Sequence, residues 1–204
     1  MAVEDRGDFA ALQALLRKPV PATGERCDFC AQPVGPEHGH LVDLKARRIM
    51  CGCRPCWLVF EPTGAAQGRY KPVPTRYAVL DDLIVDEATW DALQIPIGLA
   101  FFFDNSVEKR VVALYPGPAG ATESQLPLEA WSLLAAHPVV ASLQSDVEAL
   151  VLRRRGGATS SYLVPIDKAY ELVGAIRSTW RGFDGGDDAK RRIDAFFEDV
   201  EQRA

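Results

Sequence analysis

The sequence has no long hydrophobic run, no excess of positive charge and no cysteine beyond residue 56. No stretch approaches the eighteen or so uninterrupted apolar residues of a membrane-spanning helix, so we expect no transmembrane segment. Residues 1–6 are acidic and carry no apolar stretch of a signal peptide, which favours the cytoplasm. Lysine and arginine number 23 against 28 acidic residues, and a net charge of −5 gives the whole chain no attraction for nucleic acid or anionic lipid.

Motifs of common catalytic and nucleotide-binding sites are also missing. The sequence has neither the Gly-Lys-Ser/Thr of a phosphate-binding loop nor the G-x-G-x-x-G of a dinucleotide-binding fold. Histidine is scarce, and His137 is the one histidine outside the cysteine-containing region. No nucleophile, base and orienting group can be ranked as a set from such a sequence, so we expect no enzymatic activity.

What remains is the composition of a folded protein. Of the 204 residues, 48% are hydrophobic and 25% are charged, which excludes wholesale disorder and fibrous repeats. This length allows one full domain together with a small module.

The five cysteines are confined to the region between Cys27 and Cys56, unlike the spread of a disulfide framework. Cys27 and Cys30 form one C-x-x-C pair, and Cys53 and Cys56 form another. Each pair bends the backbone into a knuckle that directs two sulfurs at one point, so two knuckles complete a tetrahedral metal site. We expect zinc there, with iron of the rubredoxin type as the alternative for the same four sulfurs.

Three further residues are alternative metal ligands. In an extended chain Cys51 lies on the same face as Cys53, so it either replaces one of the four sulfurs or remains a free thiol, which we favour. His38 and His40 lie on the approach to the predicted hairpin, where either one fits a site of three cysteines and one histidine. We expect both histidines instead to be solvated, in a loop and at the start of a strand.

The pattern predicts an α+β protein in three parts. An N-terminal helix and linker occupy residues 1–24, and a cysteine-rich metal-binding module occupies residues 25–60. The module contains a β-hairpin formed by residues 40–44 and 48–51, typical of a zinc ribbon or rubredoxin. A stretch rich in Gly and Pro leads to an α+β domain over residues 69–204, with an antiparallel sheet and packed helices.

Within the larger domain, apolar runs and turn residues predict two hairpins, one from residues 97–103 and 109–115 and one from residues 147–154 and 161–164. Residues 115–124 contain two prolines and two glycines, which favours a loop. Helical periodicity predicts helices over residues 128–136, 168–181 with Asp167 as N-cap, and 188–202.

Two features of the module point to contacts with other surfaces. Lys45, Arg47 and Arg48 place three positive charges at the tip of the predicted hairpin, where an acidic partner surface would be complementary. The apolar run from Trp57 to Phe60 is too large for a small ribbon to enclose, so we expect the larger domain to cover most of it.

A resemblance to a known family is carried by six segments that span most of the chain: Glu25–Cys30, His38–Leu44, Cys51–Cys56, Tyr115–Ser124, Pro165–Gly174 and Trp180–Gly182. Together they resemble an uncharacterised bacterial family found among actinobacteria, whose members are encoded beside nickel–iron hydrogenase subunits. The resemblance implies an accessory role, with a hydrogenase subunit or its precursor as the protein partner, and it implies no established activity.

Three functions are therefore open. The first is a non-catalytic metal-binding protein that assists assembly or function of a hydrogenase through protein–protein contacts. The second is a rubredoxin-like electron carrier with iron at the same cysteines. The third is a zinc-ribbon protein that binds nucleic acid, which the net charge of −5 disfavours.

Overall fold

The computed structural model describes residues 24–117, 120–124, 128–181 and 186–204. The predicted N-terminal helix lies outside these residues. Among them, no helix has both the length and the apolar character that crossing a bilayer demands. The described chain combines helices with two antiparallel sheets, so the predicted α+β class is confirmed.

The smaller sheet contains the predicted hairpin. Strands β1 (Gly39–Asp43) and β2 (Arg48–Gly52) pair antiparallel, and their facing residues Leu41 and Met50 are buried. Helix α1 (Arg54–Phe60) follows directly, and a short 3-10 helix (Ala65–Gly68) leads to the next strand.

Strand β3 (Tyr70–Pro72) lies beyond residue 69, where we placed the larger domain, yet it pairs with β1 to give the order β2-β1-β3. Arg69, just before β3, donates to both carboxylate oxygens of the buried Asp43 on β1, at 3.1 and 2.7 Å. The Arg69 guanidinium outweighs the effect of burial and holds the pKa of Asp43 at about 2. The small sheet is therefore completed by residues that follow the Gly-rich stretch.

The larger sheet has six strands in the order β4-β9-β8-β5-β6-β7, and all neighbours are antiparallel. Both predicted hairpins are present, as β5–β6 and β8–β9. Residues 120–124, which we expected in a loop, form an edge strand on β6. The strands are β4 (Ala78–Val79), β5 (Leu99–Asn105), β6 (Arg110–Gly117), β7 (Gly120–Ser124), β8 (Glu148–Arg155) and β9 (Ala158–Pro165).

Helices cover both faces of this sheet. Successive residues of a strand point to opposite faces, so Phe101 enters one apolar core and Phe102 the other, and both are buried. Helices α2, α3 and α4 pack in the core of Phe102, and α5 and α6 pack in the core of Phe101. The helices are α2 (Glu87–Ala92), α3 (Leu128–Ala135), α4 (Pro138–Ala141), α5 (Ile166–Thr179) and α6 (Gly186–Arg203).

The start of α5 differs from the prediction. Asp167 is not the N-cap, because the helix begins at Ile166 after Pro165, whose fixed φ suits a helix entrance. Asp167 therefore lies in the first turn, where its carboxylate accepts from the backbone N–H of Lys168 and reaches His40 on the small sheet.

Polar contacts join the two sheets around a cleft of about 1710 Å³. His40 Nδ1 lies 2.7 Å from Asp167 Oδ2, and Lys71 Nζ on β3 lies 2.6 Å from the buried Asp146. Val42 on β1 packs against the core that contains Phe101. The small sheet is thus held against the larger one by side chains of β1 and β3.

The apolar run at α1 is not covered as we expected. Phe60 packs against the small sheet, where its ring centroid lies 4.7 Å from that of Phe29 and 5.1 Å from that of Tyr70 on β3. Leu58 and Val59 are exposed by 42% and 64%. The prediction that the larger domain covers most of this run was wrong for Leu58 and Val59, which lie on the exposed side of α1. Trp57 does reach the residues placed in that domain, since its Nε1 donates to the carbonyl of Val73 at 3.3 Å.

Candidate metal centre

The first cysteine pair lies on a tight turn before β1. The backbone N–H of Cys27 donates to the carbonyl of Gln32, and the N–H of Ala31 donates back to the carbonyl of Cys27, both at 2.9 Å. Ala31 has a φ of +59°, which closes the turn. These bonds hold Cys27 and Cys30 on one side of the knuckle.

The second pair lies at the start of α1. Cys53 is the residue before the helix, with extended backbone, and Cys56 follows within the first turn. Pro55 between them fits this position, because the first turn of a helix leaves its N–H groups without helical partners and proline has none to lose. Strand β2 leads straight into this turn, which brings the second knuckle beside the first.

The structure brings the four predicted cysteines together. Their sulfur atoms all lie within 4.8 Å of one another, and the Sγ atoms of Cys30 and Cys53 are 3.6 Å apart. Cys27 is buried, Cys30 is exposed, and Cys53 and Cys56 are half-buried. Four sulfurs in one cluster form a donor set suited to zinc or to a single iron ion.

The electrostatics of the cluster favour a bound cation. Burial alone would raise the pKa of Cys27, but backbone N–H groups of Cys53, Cys30 and Phe29 stabilise its thiolate and lower the pKa to about 6. Burial and the neighbouring cysteines raise the pKa of Cys56 far above its usual value. Four sulfurs at this separation ionise together only when a metal ion compensates their charge.

The three alternative ligands form a separate group. His38, His40 and Cys51 each offer an atom within 4.8 Å of the other two, and none of them belongs to the group of four cysteines. His40 and Cys51 are direct cross-strand partners in β1 and β2, and the ring centroids of the two histidines are 4.6 Å apart. The expectation of solvated histidines was wrong, because the side chain of His38 is only 6% exposed and that of His40 only 28%.

Sequence reasoning missed Asp167 as a member of this region. It lies 127 residues from His40 along the chain, and its hydrogen bond to the His40 ring depends on how α5 docks against the small sheet. No local pattern in the sequence signals that contact.

The predicted partner-binding residues are all exposed, but they differ in their contacts. Arg47 forms an ion pair with Glu108 of the larger domain, with 2.7 Å between Nη2 and Oε1. The side chains of Lys45 and Arg48 form no ion pair with any residue that the structure describes. Within the described part of the chain, the hairpin tip thus presents Lys45 and Arg48 without an ion-pair partner, beside Arg47, which pairs with Glu108.

Comparison with known proteins gives a family and no activity. The profile of a Family of unknown function (DUF5947) matches residues 26–204, which include both cysteine pairs and both sheets. No curated protein and no solved structure matches the chain.

Proposed function

Since the chain belongs to this family of unknown function, its role rests on its own residues, and we propose a non-catalytic accessory protein that binds zinc and contacts a protein partner. The observation that carries the proposal is the convergence of Cys27, Cys30, Cys53 and Cys56. Four sulfur ligands fill a tetrahedral ion and leave no position for an activated water molecule. A site of this kind stabilises the structure of the surrounding surface and does not catalyse a reaction.

The surface that the zinc site organises is the hairpin between the two knuckles. Lys45 and Arg48 project from it as exposed cations, and α1 beside it exposes Leu58 and Val59. The exposed cations are complementary to an acidic protein surface, and the exposed Leu58 and Val59 offer apolar contacts on the same module. The resemblance described above makes a hydrogenase subunit, or its precursor, the first partner to test.

Reversing the charge of the hairpin tip tests this surface. We expect the variant Lys45→Glu/Arg48→Glu to bind the hydrogenase subunit at least about tenfold more weakly, because each reversal replaces an attraction across the interface by a repulsion. Arg47 is left unchanged, since its pairing with Glu108 holds the tip against the larger domain. The measurement is titration calorimetry with the purified subunit at two salt concentrations.

A matched control changes the net charge equally on another surface. Arg177 on α5 and Arg192 on α6 are also exposed, and Arg177→Glu/Arg192→Glu should leave the affinity unchanged. Equal weakening by both double variants would assign the effect to net charge alone. Unchanged affinity in the hairpin variant would remove the hairpin from the interface.

One observation favours an electron carrier as the second candidate. Cys30 is exposed, so an iron ion at the four sulfurs would lie near the surface, where electrons can pass to a partner. Metal analysis and a visible spectrum of protein purified without added metal separate the two. We expect a colourless protein with zinc at the four cysteines. A red protein with iron that bleaches on reduction would instead establish the carrier.

A further inference from the structure

The group of His38, His40 and Cys51 has the geometry of a site on its own. All three side chains lie on one face of the β1–β2 hairpin, because His38 precedes His40 by two residues and His40 faces Cys51 across the strands. When three atoms lie within 4.8 Å of one another, the centre of their triangle is at most about 2.8 Å from each. Small side-chain movements would shorten the distance from this centre to each ligand atom to the zinc–ligand range of about 2.0–2.3 Å.

The imidazole of His38 is oriented for a ligand. Its Nδ1 lies 2.8 Å from the carbonyl oxygen of Gly35, which can only accept, so Nδ1 carries the proton and donates. Nε2 then presents a lone pair. This atom is buried and has no hydrogen-bond partner among the described residues, and the side chain of His38 is only 6% exposed. A buried polar atom without a partner is costly unless something binds it.

The imidazole of His40 is held in the same way by a different acceptor. Its Nδ1 lies 2.7 Å from Oδ2 of Asp167, so a neutral ring donates there and leaves Nε2 as the free lone pair. A carboxylate that accepts from one ring nitrogen while the other binds a metal ion is a recurrent arrangement, in which the carboxylate fixes the ring and makes it a stronger ligand.

We propose that His38, His40 and Cys51 bind a second metal ion, a divalent transition ion of the zinc class, separate from the ion at the four cysteines. Two imidazole nitrogens and one thiolate are ligands that such ions prefer over magnesium or calcium. Three protein ligands leave one tetrahedral position for water or a small ligand. Both histidines line the cleft between the two sheets, which gives that position access to solvent. This site goes beyond the proposed accessory role and does not depend on it.

Cobalt tests the site without activity as a readout. Full-length protein is first loaded with one equivalent of zinc per chain, so that the four cysteines are occupied and the second site is left free, and a zinc content of one ion per chain is verified. Co²⁺ is then added, and its binding is followed by the absorption of tetrahedral cobalt and of the cobalt–thiolate bond. We expect one equivalent of Co²⁺ to bind while the zinc is retained. Cys51→Ser should abolish the thiolate band, and His38→Ala should abolish tight binding.

Two further variants separate ligation from general damage. Asp167→Asn should weaken Co²⁺ binding by about 10- to 100-fold, as expected for loss of a carboxylate behind a ligating histidine. His137→Ala removes a histidine at the start of α4, far from the hairpin in sequence, and should leave Co²⁺ binding unchanged.

The outcomes that overturn the proposal are distinct from those that overturn the zinc site. Wild-type protein that retains zinc but binds no Co²⁺ excludes a second site while leaving the first intact. Co²⁺ binding that survives both Cys51→Ser and His38→Ala, or that is lost equally in His137→Ala, also refutes it. Absence of zinc before cobalt is added would refute the proposed four-cysteine site instead.

Discussion

Replacing Cys27, Cys30, Cys53 or Cys56 by serine is expected to release the metal ion and unfold the small sheet. Within the described residues 24–73, the buried apolar side chains are those of Cys27, Leu41, Met50 and Val73. So few buried side chains cannot stabilise a sheet alone. Structural zinc contributes about 10–16 kcal/mol in isolated zinc-finger peptides, far more than this core can supply.

Metal content and proteolysis measure the effect together. Trypsin should cleave each serine variant rapidly after Arg48 in β2 and after Arg69, whose side chain is paired with Asp43 in the folded protein. The larger sheet should remain resistant, because its two cores do not include the cysteines. Chelation of the wild-type protein should give the same cleavage pattern.

Cys51→Ser is the control for these variants, since Cys51 lies outside the group of four sulfurs. It should retain the structural ion and resist trypsin after Arg48. If Cys53→Ser keeps the ion and Cys51→Ser loses it, the assignment of the four ligands is wrong.

The sequence predicts those parts of the fold that depend on neighbouring residues. The hairpins β5–β6 and β8–β9 arise from apolar runs joined by short turns, and the helices α5 and α6 arise from 3.6-residue periodicity. The C-x-x-C spacing likewise fixes each knuckle locally. These elements were expected within a few residues of where they occur.

Other parts depend on contacts between distant residues. Strands β3 and β4 are short and gain their partners β1 and β9 only when the chain folds back. Edge strand β7 forms from a stretch rich in turn residues, because β6 offers it a pairing edge. Local residue propensity alone therefore predicts loops, or no defined structure, for the segments of β3, β4 and β7.

For the group of His38, His40 and Cys51, part of the arrangement could have been predicted from the sequence. His40 and Cys51 are equally far from the centre of the hairpin turn, so the register that pairs Val42 with Ile49 also pairs them. The burial of His38 could not be predicted, because no local pattern signals it. The bond from His40 to Asp167 could not be predicted either, because it joins residues 127 positions apart.

The largest expected effect outside the metal centre is at Glu148, at the start of β8, whose side chain is fully buried. Arg76 donates to both of its carboxylate oxygens, from Nε at 2.8 Å and from Nη2 at 2.7 Å. The backbone N–H of Gln144 donates to the same carboxylate. Removing Arg76 leaves a buried negative charge without its cation, which costs much more than the loss of an exposed pair.

We expect Arg76→Ala to lower the free energy of unfolding by about 3–5 kcal/mol, measured by urea denaturation of the zinc-loaded protein. Arg110→Ala is the control, because Arg110 is about half exposed and pairs with Glu123 at 2.6 Å and with Glu108 at 2.5 Å, neither of which is fully buried, and it should cost about 1 kcal/mol or less. The double variant Arg76→Met/Glu148→Met removes the buried charge together with its partner. It should be more stable than Arg76→Ala, since the penalty arises from the uncompensated carboxylate. Equal losses for Arg76→Ala and Arg110→Ala would show that the Glu148 pair contributes no more than a surface ion pair.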